Sequence, residues 1–93
     1  MEQSISSGLK DASALIRTGA GQFCGILITT NGTNAATAIV YDGLTATGTE
    51  LFKGVVAGAS NFDSFFPGLS VKARTGIYVS ISGTGAKFIA YTR

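Results

Sequence analysis

Apolar residues along this chain recur at every second position or in short unbroken runs, and no stretch of helical length places them at three-and-four spacing. The clearest alternation is Ile77-Tyr78-Val79-Ser80-Ile81-Ser82, where Ile77, Val79 and Ile81 share one face; this predicts a strand with one buried and one wet side. Residues 23–30 are more uniformly apolar and read as a central strand covered on both faces, and residues 37–42, around Ile39 and Val40, look similar. Both are placed in the middle of a sheet. Further strands are predicted over 12–18, 50–57, 61–66, 69–74 and 87–92. Residues 10–17 also carry good helix formers, Ala, Leu and Lys, but are read as strand.

The breaks between runs have turn chemistry. Asn31-Gly32 and Asp42-Gly43 supply residues that tolerate positive φ, and a hairpin is predicted at each. Pro67-Gly68 fits a type II turn between the phenylalanine-rich run and the one that follows it. Strand signals at intervals of roughly 8 to 12 residues are those of a sandwich or small barrel. The expected fold is all-β: a single small antiparallel β-sandwich, jelly-roll-like, of about eight strands over residues 9–93. Residues 1–8 are small, polar and aperiodic and are expected to form a flexible arm that orders against a partner.

At 93 residues the chain suffices for one core, and a core of that size leaves a modest margin of stability. Charged residues make up only 13%, about half the usual ~25%, so the surface lacks the Lys and Glu cover of a solitary soluble domain. A surface covered in an assembly needs less charge. The net charge of +2 is too small to argue for nucleic acid, and no apolar run approaches the ~20 residues that span a bilayer. The start of the chain has neither the basic run nor the apolar stretch of a signal peptide, so secretion by that route is not expected. With no histidine, imidazole catalysis and imidazole-ligated metals are excluded, and a single cysteine, Cys24, can close no internal disulfide.

The motifs that invite a chemical reading have simpler accounts. Gly19-Ala20-Gly21 lacks the third glycine of a dinucleotide fingerprint, because Cys24 stands there, and Ser82-Gly83-Thr84-Gly85-Ala86-Lys87 lacks the spacing and the Ser or Thr of a phosphate loop. The second is expected to be a glycine-rich hairpin turn. Asn31-Gly32-Thr33 has the acceptor pattern for N-glycosylation but is read as a turn. Cys24 sits in an apolar run with no base to activate it and behaves as a small hydrophobe. The carboxylates Glu2, Asp11, Asp42, Glu50 and Asp63 are scattered without calcium-loop spacing. No cofactor, metal or catalytic group is therefore expected.

Two features point to a protein contact. Lys72 and Arg74, two apart on a predicted strand, share a face opposite Leu69, Val71 and Ala73; they form either a solvated stripe or a contact for an acidic surface. In the run before Pro67, alternation puts Phe62 and Phe66 on one side and Phe65 on the other. Phe65 is either covered within the monomer or an exposed interface anchor.

The stretch Leu15-Ile16-Arg17-Thr18-Gly19-Ala20-Gly21, then Gly25-Ile26-Leu27-Ile28-Thr29-Thr30-Asn31-Gly32, resembles the start of small β-sandwich virion proteins of tailed bacteriophages. Ala38-Ile39-Val40-Tyr41-Asp42-Gly43 and the closing Phe88-Ile89-Ala90-Tyr91-Thr92-Arg93 continue the likeness, which runs from about residue 12 to 93 and lies in strand and turn pattern. The resemblance implies a capsid decoration, or cement, protein: a homotrimer that sits on the outside of the phage head, binds the major capsid protein and stabilises the shell, without nucleic acid or membrane. The resemblance also implies synthesis in the host cytoplasm and a place on the virion. Phe62, Phe65, Phe66, Lys72 and Arg74, with the arm, are the expected contacts. The alternative is a head-fibre or tail accessory module with lectin-like carbohydrate binding, for which Tyr41, Tyr78 and Tyr91 are available and Tyr78, on the wet face of its strand, is the best placed.

Overall fold

The computed structural model of the chain describes residues 5–31, 34–57 and 71–93, and residues 64–66 as backbone. These form nine strands and no helix: β1 (Ile5–Ser6), β2 (Ala14–Thr18), β3 (Gly21–Thr29), β4 (Ala36–Asp42), β5 (Thr49–Val56), β6 (Ser64–Phe66), β7 (Val71–Ala73), β8 (Gly76–Ser82) and β9 (Lys87–Thr92). All pairings are antiparallel, in two sheets. One has the order β1-β9-β3, with β6 and β7 both beside β3; the other has the order β2-β8-β4-β5. β7 pairs with Gly21 to Phe23 and β6 with Ile26 to Ile28, so the two short strands share one strand position end to end. Counted that way, each sheet has four positions. With β6 and β7 taken as one strand, each connection crosses between the sheets except that from β4 to β5, a double Greek key, which is the jelly roll. The protein is a small all-β sandwich.

That connectivity corrects two turn expectations and bears out the hairpin at Asp42-Gly43. β3 and β4 lie in different sheets, so the Asn31 turn carries the chain across the sandwich and is not a hairpin; the Asn31 Oδ1 accepts a 2.8 Å hydrogen bond from the Asn34 N–H there. The glycine-rich turn after β8 likewise crosses to β9. The Ala86 N–H bonds the Gly83 carbonyl at 3.1 Å, with Gly85 at φ 76° in the third position, as a type II turn requires. A Cβ on Gly83 would also run into the Ala35 carbonyl. Asp42-Gly43 does open the one connection within a sheet, but through residues 43–48 and without positive φ at Gly43. Pro67-Gly68 lies outside the described residues.

Alternation along the strands fills the core. β3 contributes Phe23, Ile26 and Ile28, β4 Ala36, Ala38 and Val40, β8 Ile77 and Val79, and β9 Phe88 and Ala90, all fully buried. Phe23 and Phe52 meet across the two sheets with ring centroids 5.7 Å apart and planes at 40°. Gly54 makes room beside them: a Cβ there would stand 3.1 Å from the Ile28 Cδ1 and 3.0 Å from the Phe52 ring. The outward residues of β3, among them Leu27 and Thr29, are half-buried, so the cover expected on both faces of this central strand is complete on the inner face alone.

Of the arm predicted over residues 1–8, residues 1–4 lie outside the described residues and Ile5–Ser6 forms β1 against β9. The contact continues past the strand. The Ser7 N–H bonds the Ala90 carbonyl at 2.8 Å, the Ser7 Oγ accepts from the Ala90 N–H at 2.9 Å, and Lys10 and Phe88 exchange a reciprocal pair at 2.8 and 2.9 Å.

Phe88→Ala is expected to cost about 3–5 kcal/mol, by loss of a fully buried ring between the sheets. Ile89→Ala, one residue on and facing out, is expected to cost about 1 kcal/mol. Urea unfolding of the two variants beside the parent measures the difference.

Candidate functional site

The outer face of the four-stranded sheet is built from the residues that alternation leaves outside. Tyr78 of β8 lies opposite Leu15 of β2 on one side and Tyr41 of β4 on the other, and Tyr41 lies opposite Glu50 of β5. Leu15, Tyr78, Tyr41 and Glu50 thus form one row across all four strands, the tyrosines half-buried and the end residues exposed. A bulge sets this row. The β4–β5 register slips between Val40 and Tyr41, where Leu51 is the extra residue of β5; without it Leu51 would take the place of Glu50 beside Tyr41. Leu51 packs against the core instead. The next row holds Ser80, Ile39 and Lys53, and the one after it Ser82, Thr37 and exposed Val55. Directly opposed residues on neighbouring strands carry Cβ atoms about 5 Å apart, so the two tyrosines are side by side. Neither phenol makes a hydrogen bond among the described residues. Tyr91 is elsewhere: it belongs to β9, opposite Ser6 and Gly25 in the other sheet.

The residues expected at a protein contact lie along the β6–β7 side of the five-stranded sheet. Phe65 pairs with Leu27 and Phe66 with Ile26 on β3; Phe62 is outside the described residues. Lys72 is exposed on β7 opposite Gln22. The predicted strand over 69–74 is shorter, since β7 ends at Ala73. Arg74 is exposed in the bend that follows.

That bend is held by a residue read from sequence only as a turn former. The Asp42 carboxylate, at the end of β4, accepts hydrogen bonds from the Arg74 N–H at 3.0 Å to each oxygen and from the Thr75 N–H at 2.9 Å. The Thr75 N–H first, and then that of Arg74, hold its carboxyl below the ordinary aspartate range, with the nearby Arg74 charge acting in the same direction. Asp42 therefore fixes where the chain leaves the five-stranded sheet for β8.

Cys24 is half-buried at a second bulge, where the β3–β9 register slips between Phe23 and Gly25, and its Sγ lies 3.8 Å from the Gln22 carbonyl oxygen. Asp11 is exposed in the bend before β2 and Glu50 on β5, and among the described residues no three His, Cys, Asp or Glu side chains gather as a metal site. What the arrangement presents is an aromatic row on one sheet and a short-stranded edge on the other. No protein-family model matches the chain, and no curated protein matches it.

Because the Asp42 carboxyl is more acidic in the folded chain than in the unfolded one, its contribution is fully present above the ordinary aspartate pKa of ~3.9 and is lost as pH falls through the lower folded value. Asp42→Asn is expected to lower the melting temperature at neutral pH, and its deficit against the parent to shrink below about pH 4. Thermal melts of the two proteins from neutral to strongly acidic pH read this directly.

Proposed function

We propose that this protein is a virion structural component: a capsid decoration protein that binds the major capsid protein on the outside of an assembled phage head, as a homotrimer, and stabilises the shell. The observation that carries the reading is the connectivity. The eight-position jelly roll is an architecture of viral capsid and lectin domains. A shared fold does not by itself assign a role. Support comes from the strand and turn pattern that resembles small phage virion sandwiches, and from the 13% charged residues, which suit a surface covered by neighbours.

The β6–β7 side is the proposed contact. Among the described strands both pair with β3 alone, and the five residues singled out from sequence, Phe62, Phe65, Phe66, Lys72 and Arg74, all belong to this stretch of chain. Short edge strands take a further strand or a loop without disturbing the core. The arm adds an apolar contact, since Ile5 is 64% exposed. Binding of this kind stabilises by mass action: a protein that prefers the assembled lattice to free subunits opposes disassembly, and a trimer engaging several capsomers gains avidity.

Mixed with phage heads lacking it, the purified chain is expected to co-sediment with them and to raise their melting temperature. Light scattering after size exclusion is expected to give three times the chain mass. The Lys72→Glu/Arg74→Glu variant, Phe65→Ser and deletion of residues 1–8 should each weaken decoration by at least about tenfold. Parent-like decoration by all three removes the proposed contact surface, and absence of any binding by the parent removes the decoration reading itself.

A further inference from the structure

We propose that the outer face of the four-stranded sheet binds a neutral saccharide, with Tyr41 and Tyr78 as its floor. The site is separate from the shell contact proposed above, which lies along β6 and β7 of the other sheet, and it does not depend on that reading.

The argument starts from register. β4 and β8 are neighbours, and their pairing sets Tyr41 and Tyr78 directly opposite each other on the outward side, half-buried, with Leu15 and Glu50 extending the row to both edges. Neighbouring strands lie about 4.8 Å apart, so the row runs for about 14 Å. A tyrosine offers an apolar ring and a polar tip. A pyranose has the matching division, with C–H groups on its face and hydroxyls round its rim. Rim partners stand beside the rings: the Glu50 carboxylate accepts, the Lys53 ammonium donates, and the Ser80 hydroxyl does either.

Charge and size select the occupant. Glu50 and Lys53 offset each other, and Arg17, the nearest further cation on β2, is turned away, its Nε donating to the Ala20 carbonyl at 3.0 Å. The face is therefore neutral, which disfavours anionic ligands such as sulfated or phosphorylated chains. The row of about 14 Å is long enough to take a short oligosaccharide. In the outermost positions two opposite charges, Glu50 and Lys53, precede the apolar Val55, so this edge is not one apolar patch.

Isothermal titration calorimetry of the parent with cellohexaose, maltohexaose and chitohexaose is the test, with emission as a second readout: the chain has no tryptophan and three tyrosines, so its fluorescence reports largely on this face. At least one of the three is expected to give a saturable heat and a saturable change in emission. Tyr41→Ala and Tyr78→Ala should each weaken it at least about tenfold, Tyr78→Phe by less, and Tyr91→Phe, in the opposite sheet, not at all. Glu50→Gln, at an exposed position that the fold does not use, should weaken binding by about fivefold and keeps the test open if an alanine variant does not fold. The proposal is overturned by the absence of a saturable response to all three sugars up to about 10 mM, or by unchanged affinity in Glu50→Gln together with any folded tyrosine variant. Loss of head decoration by Tyr78→Ala without any sugar binding would make the face a protein contact, and would overturn it as well.

Discussion

The inner faces of the two sheets have only each other to pack against. There is no helix among the described residues to cover either one, and one cysteine can form no cross-link within the chain, so what keeps the sandwich closed is burial between the sheets. The Phe23–Phe52 contact bridges that layer, and Ile28 and Val40 fill in around it. The glycines that stand out answer to the same need. Gly54 yields space to two larger side chains in the core, and Gly83 lets the turn after β8 pass against Ala35 as the chain crosses. The Asp42 carboxylate does comparable work outside the core, tying the end of one sheet's central strand to the bend by which the chain enters its neighbour.

Much of this was readable along the chain because each strand's inward set repeats every second residue. Ile77, Val79 and the β4 set Ala36, Ala38 and Val40 give the period plainly, and both β3 and β4 take the mid-sheet places their apolar runs suggest. The two-sided apolar look of residues 23–30 had another cause in part. The bulge at Cys24 shifts the phase, so that Phe23 and Ile26 both face inward across an odd spacing and the alternation is blurred. Turn chemistry was less informative about topology. Asn-Gly and Gly-rich stretches encode a reversal of direction, which serves a hairpin and a crossing between sheets equally well.

The functional surface was least legible. Tyr41 and Tyr78 are far apart in sequence, and only the β4–β8 pairing makes them neighbours. The extra residue at Leu51, which decides that Glu50 and not a leucine completes their row, has no mark in composition or spacing. Asp42 could be read as a turn former, but its partners, Arg74 and Thr75, become visible only once β7 and β8 are in place. The bounds of β7 are a related case: it stops one residue before Arg74, and alternation says nothing about where a strand ends.

The position of β8 and β9 bears on how the chain acquires its shape. β9 lies between β1 and β3, and β8 between β2 and β4, so in each sheet one of the two middle places is taken by a strand that follows its neighbours in the chain. Until they emerge, β1 and β2 have no in-sheet partner, and the inner residues of β3 and β4 have half their cover. Early strands must therefore wait on late ones, so folding is governed by long-range pairing and is slower than in a chain of local hairpins. In that interval the exposed strand edges invite pairing between chains. The topology thus ties successful assembly to how quickly the last strands close the sandwich.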